Sequence, residues 1–181
     1  MTNDLDQILL RYQAAFSKKV YREENDETDI LMNVFNITSE MKRENRQYWG
    51  RELGMCWQLL VTQVFKNTRD NFALALRSGD DEPYDFGFSN FAVDTKYRIG
   101  SGDSGTLKKF KLYGNLLKEK EFTPVLLILR HDNLPSAITA CLKGGWQIFT
   151  AEGTFEFILT HSGVDLKNYL NQKAGDFGVA R

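Results

Sequence analysis

The sequence predicts an α/β fold, a mixed β-sheet flanked by helices. Two successive runs, Tyr84 to Phe88 and Phe91 to Ile99, alternate with period two, as strands do. The run Thr123 to Leu129 is apolar almost throughout, which suits a strand in the centre of a sheet. Before and between these runs apolar residues recur at three and four, the helical spacing. Helix, three strands able to run antiparallel, helix, strand, helix, strand is an order that builds a mixed sheet with helices on both faces.

Leu5, Ile8, Leu9, Tyr12, Ala15 and Phe16 outline a first amphipathic helix. The acidic stretch that follows, through Asp29, reads as a solvated loop or helix edge. A long helix is predicted from about Ser39 to Asn67, with Trp49, Leu53, Cys56, Leu60 and Val64 as its buried stripe and Glu52 beside it. Phe72 to Leu76 suits a short strand, and Ser78 to Pro83 a turn. In the alternating runs Tyr84, Phe86 and Phe88 share one face; Phe91, Val93, Thr95, Tyr97 and Ile99 likewise share one. The glycine-rich loop Gly100 to Gly105 leads into a helix capped by Asp103 or Ser104, with Leu107, Phe110, Tyr113 and Leu117 inward; Gly114 weakens it by roughly 1 kcal/mol relative to Ala. A helix from Leu134 to Lys143 ends at Gly144-Gly145, a strand follows over Trp146 to Thr150, and two short helices, Thr154 to His161 and Val164 to Asn171, close the sequence.

The 181 residues suit one domain, 1–181, with a core over about 39–150. Lys+Arg 23 against Asp+Glu 24 excludes a strongly basic coat protein, though not a local basic face. No apolar run approaches the roughly 20 residues of a membrane span. The acidic first residues do not resemble a secretory leader, and two cysteines make no disulfide framework, so a cytoplasmic location is expected. His131 and His161 lie at no metal-binding spacing and read as structural; Trp49, Trp57 and Trp146 read as core.

A hairpin centred on Ser89-Asn90 sets Phe88 opposite Phe91, Phe86 opposite Val93 and Asp85 opposite Asp94, unless a bulge shifts the register by one. Facing carboxylates repel, and a divalent cation reverses the sign of that interaction. Hard oxygen ligands suit Mg²⁺, which commonly takes one or two carboxylates, waters and substrate phosphate. Lys96, two residues beyond Asp94, projects from the same face, where it can hold a water or neutralise charge on a phosphate.

Pro83-Tyr84-Asp85 followed by Asp94-Thr95-Lys96 resembles the PD-(D/E)XK nuclease signature, with Tyr84 interrupting the proline–acid pair. The resemblance implies a restriction-endonuclease-like sheet and Mg²⁺-dependent cleavage of double-stranded DNA. It implies Asp85, Asp94, Lys96 and a helical glutamate, Glu52, as catalytic residues, and Asp85, Asp94, Thr95 and Glu52 as metal ligands. The stretch Asp94 to Thr106 also looks like type II restriction endonucleases of the ApaLI-like kind, which implies 5′-phosphate ends and a homodimer on a palindromic site. A repair, junction-resolving or phage nuclease of the same superfamily, and a non-catalytic DNA-binding module, stay open as alternatives.

Between Lys96 and Glu121 seven basic residues face three acids, and Arg98, Ser101, Asp103, Ser104, Lys108 and Lys111 are the candidate DNA contacts. Lys42, Arg43, Arg46 and Arg51 form a second basic group. The loop before Thr106 lacks the lysine of a Walker phosphate loop, so no nucleotide cofactor is expected.

Overall fold

The computed structural model describes residues 2–17, 24–75, 82–100, 102 and 104–180. After α1 (Thr2–Ser17) come α2 (Ile30–Phe35), α3 (Ser39–Glu44) and α4 (Arg46–Thr68). Then follow β1 (Ala73–Leu74), β2 (Phe86–Phe88), β3 (Phe91–Lys96), α5 (Ser104–Glu119), β4 (Thr123–Ile128), α6 (Pro135–Gly144), β5 (Gln147–Thr150), α7 (Glu152–Ser162) and α8 (Leu166–Gln172). The sheet runs β1-β2-β3-β4-β5 in space, antiparallel over its first three strands and parallel from β3 to β5. The α/β class and the mixed sheet therefore match the sequence expectation.

Parallel strands need both faces covered. Val125, Leu127 and Leu129 of the β4 segment join a core with α2, α4, α7 and α8, built on Leu31, Trp57, Val61, Phe65 and Ile158. Leu126 and Ile128 join the opposite core with Phe110 and Leu117 of α5 and Ala137 and Cys141 of α6. The buried interior thus extends from Leu31 to Leu170, beyond the 39–150 expected.

The helix expected over 39–67 is two helices. Asn45 ends α3, and its side chain accepts the Tyr48 amide at 3.0 Å to cap α4. An asparagine that bonds locally competes with continued helix, and here it starts a new one. The buried stripe steps by four, through Trp49, Leu53, Trp57, Val61 and Phe65, with Cys56, Leu60 and Val64 half-buried beside it. The helix α2 falls just past the acidic stretch read as loop; Asp29 caps it, accepting the Leu31 and Met32 amides at 3.1 Å each. In α1 the apolar residues Leu5, Ile8, Leu9 and Tyr12 are all more than half exposed. The side chains of Ala15 and Phe16, residue Leu76 and the turn residues 78–81 lie outside the described residues.

Gly114 does more than weaken α5. A Cβ there would lie 2.4 Å from the Gly144 carbonyl and 2.6 Å from Trp146 Nε1, so its hydrogen lets α5 and α6 touch. Trp146 Nε1 donates to the Phe110 carbonyl at 2.8 Å across the same contact. At the end of the chain the Gly175, Phe177 and Val179 amides donate to the carbonyls of Asn33, Val34 and Phe35, tying the last turn to α2.

Candidate active site

The hairpin register is the expected one as far as it is regular: Phe88 pairs with Phe91, Gly87 with Ala92 and Phe86 with Val93. One residue further it breaks. The Asp85 amide donates to the Val93 carbonyl at 2.8 Å, so Asp85 and Phe86 both oppose Val93, and this is a β-bulge. Asp85 is therefore not the cross-strand partner of Asp94. An inserted residue also inverts the alternation. Tyr84 accordingly packs in the α5/α6 core instead of sharing a face with Phe86 and Phe88. Ile99 lies in that same core because β3 ends at Lys96.

The bulge turns the Asp85 carboxylate onto β3. Its Oδ2 accepts the Thr95 amide at 2.7 Å and the Thr95 hydroxyl at 2.6 Å, and its Oδ1 accepts Gln58 Nε2 at 2.7 Å. Burial, then the charge of Asp94, push the Asp85 carboxyl up to about 6, against the pull of Lys96 and the Thr95 donors. The two carboxylates thus sense each other although they do not pair across the ladder.

Asp94 is buried, and Lys96 Nζ sits 2.7 and 2.6 Å from its two oxygens and 3.1 Å from the Thr95 carbonyl. Burial disfavours the ammonium, but the charges of Asp94 and Asp85 outweigh it and raise the Lys96 pKa, so this lysine is charged. Asp94 and Lys96 open into a cleft of about 170 Å³, bounded by Thr106, Phe110 and Tyr113 of α5 and by Trp146. No family model, curated protein or solved structure matches this chain.

Among the remaining expected site residues, Glu52 stands apart. It is exposed on α4 and paired with Arg51 at 2.9 Å. The α4 residue that reaches the Asp85 carboxylate is Gln58. Gly54, one turn before it, lies where a Cβ would meet Tyr97 Cβ at 3.6 Å, so this row of α4 faces β3. The signal was present in the sequence as Gly50, Gly54, Gln58 and Thr62, a small and polar row spaced by four. A row without an acid carries no mark of a metal site in sequence. Arg98 is drawn away from solvent: its Nε donates to the Asp132 carbonyl at 3.0 Å and lies 3.2 Å from the Asp132 carboxylate. Ser104 opens α5 and is exposed, as are Lys108 and Lys111, whereas Ser101 and Asp103 lie outside the described residues.

A second charged cluster, past the ends of β3 and β4, was not anticipated. Arg130 donates to Asp132 at 2.8 Å and to Asp29 at 3.0 Å, and it also bonds Asn25. Lys42 donates to Glu24 and to the Tyr97 hydroxyl, which donates to Asp29. Burial favours an uncharged Asp132, yet Arg130, the Asn25 amide and Arg98 bring its carboxyl down to about 2. These side chains bind one another, so the acidic stretch read as solvated supplies two of the partners of buried cations, Glu24 and Asp29. His131 stays exposed beside Glu27, and His161 packs against the Phe157 ring.

Among the described residues no group of three or more His, Cys, Asp or Glu is arranged to hold a metal. The hard oxygens nearest the bulge are the Asp85 carboxylate, tied to Thr95, and the Asp94 carboxylate and Thr95 carbonyl, which Lys96 bridges. Those hard oxygens are the type and number a Mg²⁺ ion takes from a protein when water and phosphate complete its shell.

Proposed function

We propose that this protein hydrolyses phosphodiester bonds of double-stranded DNA with Mg²⁺, as a type II restriction endonuclease of the PD-(D/E)XK kind. The observation that carries the reading is the Asp85 carboxylate held on Thr95 at the β2–β3 bulge, next along β3 to Asp94 and Lys96, which open into a cleft under α5. The order of elements from α4 to β4 also fits a restriction-endonuclease-like core.

In this reading Asp85 and Asp94, with the Thr95 carbonyl, hold the cation, and Glu52 does not. Bound there, Mg²⁺ supplies an acidified water and polarises the scissile phosphate. Thr95 and Gln58 fix the Asp85 carboxylate from opposite oxygens, so one ligand is oriented before substrate arrives. The Lys96 ammonium orients the water or neutralises charge that grows on the phosphate. Lys108 and Lys111 stand on the exposed side of α5 and contact the DNA backbone. Two copies acting on a palindrome would cut both strands.

The test is incubation with plasmid and phage DNA in Mg²⁺, resolved on a gel. Discrete fragments with 5′-phosphate ends are expected, and loss of cleavage by about 10²-fold or more in Asp94→Ala. Random or structure-dependent cutting would move the protein to a repair or junction-resolving role. Binding with no cutting under any divalent metal would leave a DNA-binding module.

A further inference from the structure

The three hydrogens of the Lys96 ammonium all have acceptors: Asp94 Oδ1 at 2.7 Å, Asp94 Oδ2 at 2.6 Å and the Thr95 carbonyl at 3.1 Å. An ammonium has three donors and no more. In this arrangement Lys96 has nothing left to offer a water or a phosphate, and both oxygens of Asp94 carry a cation already. Every acceptor it uses is also one of the oxygens a Mg²⁺ ion would take.

We infer that Lys96 and the divalent cation compete for Asp94, so that metal loading releases the lysine and thereby arms it toward the substrate. The inference rests on the metal-site reading given above. Magnesium binds oxygen at about 2.0–2.1 Å, so on Asp94 it would stand close to an ammonium that already spans both oxygens, and the two cations repel each other. Of the two groups that could yield, the geometry favours the lysine. Asp94 lies within β3, paired in parallel register with Leu126, and its side chain is only 12% exposed. The Lys96 side chain is 37% exposed, at the mouth of the cleft, on a flexible four-carbon stem. The released ammonium therefore turns toward the cleft.

The test is metal binding without DNA, by titration calorimetry with Mg²⁺ and Ca²⁺, on the parent, Lys96→Met, Lys96→Gln and Asp94→Asn. Removing the competitor should tighten binding about tenfold or more, equivalent to roughly 1.4 kcal/mol, in both lysine variants. Asp94→Asn should lose binding. A second measurement needs no variant: acetylation of Lys96 in the parent, followed by peptide mass spectrometry, should be several-fold faster at saturating Mg²⁺. Equal or weaker binding by the lysine variants of a parent that binds metal overturns the competition and leaves the metal site standing. So does labelling that metal does not change. No binding by parent or lysine variants overturns both the competition and the metal-site reading.

Discussion

Thr95 holds Asp85 with two donors on one oxygen, its amide at 2.7 Å and its hydroxyl at 2.6 Å, both to Oδ2. Even so, burial and the nearby Asp94 push the Asp85 carboxyl from an ordinary 3.8 up to about 6. The folded state thus favours the proton. Its stabilising share is complete below about pH 4 and is lost as pH rises through about 6. Asp85→Asn should therefore gain roughly 1–3 kcal/mol near neutral pH and nothing in acid, read by urea unfolding at several pH values without divalent metal. A gain that does not vary with pH would refute the account. Cleavage by the parent should rise through the same window, since a metal ligand must be ionised.

Gln58 Nε2 holds the other Asp85 oxygen. Groups that orient a ligand are worth about 10–100-fold in metal affinity. Gln58→Leu should weaken Mg²⁺ binding by about tenfold with little change in fold. Gln58→Glu should place a third carboxylate at the site, lower the melting temperature without metal and recover it when Mg²⁺ is added. Identical metal affinity in all three proteins would remove Gln58 from the site.

Helix propensity alone favours Gly114→Ala by roughly 1 kcal/mol. The contact with Gly144 and Trp146 opposes it, because the added carbon would overlap a backbone carbonyl. Overpacking of this kind costs about 1–3 kcal/mol. The variant should be net destabilised in urea titrations; a stabilised variant would mean that α5 and α6 separate readily.

Arg130 is the shared partner of Asp29 and Asp132. Arg130→Met leaves two carboxylates buried without it, a loss of about 3–5 kcal/mol for a broken buried pair. Asp132 adds a pH signature of opposite sign to that of Asp85. Its carboxyl lies down at about 2, so its contribution persists above the ordinary 3.8 and disappears as pH falls through about 2. Thermal unfolding of the variant between neutral and strongly acidic pH should show the difference from the parent shrinking in acid.

Lys108 and Lys111 are exposed and three apart on α5, hence on one face. Replacing either with Ala should weaken binding to specific and random DNA alike. Each should flatten the slope of log affinity against log salt by roughly 0.9, measured in Ca²⁺. An unchanged slope would place this face away from the phosphates.

Strong periodicity made most of the fold legible: the 86–93 register, the Gly144-Gly145 stop and the paired terminal helices all follow from local pattern, and the apolar β4 is an interior strand between β3 and β5, though β3 holds the centre. What escaped depended on single residues acting at a distance. The bulge at Asp85 leaves no mark on an alternating run, yet it redirects Tyr84 and the key carboxylate. Asn45 splits a helix that hydropathy alone would continue. Glu52 had the right chemistry on the right helix, but Gln58 had the right angle. Arg98 stands in a basic run of the sequence, and its acid partner, Asp132, lies far along the chain.

The ties between the last residues and α2 bear on how the chain reaches this state during synthesis. The carbonyls of Asn33, Val34 and Phe35 acquire their partners only when residues 175 to 179 are available. At about 5–20 residues per second, translation needs on the order of ten seconds or more to make the intervening segment. Through that interval Leu31, Met32 and Val34, buried in the finished protein, have no completed core to enter. The α2 segment of the fold therefore waits on the ribosome, with apolar side chains in reach of a chaperone until residues 175 to 179 have been made.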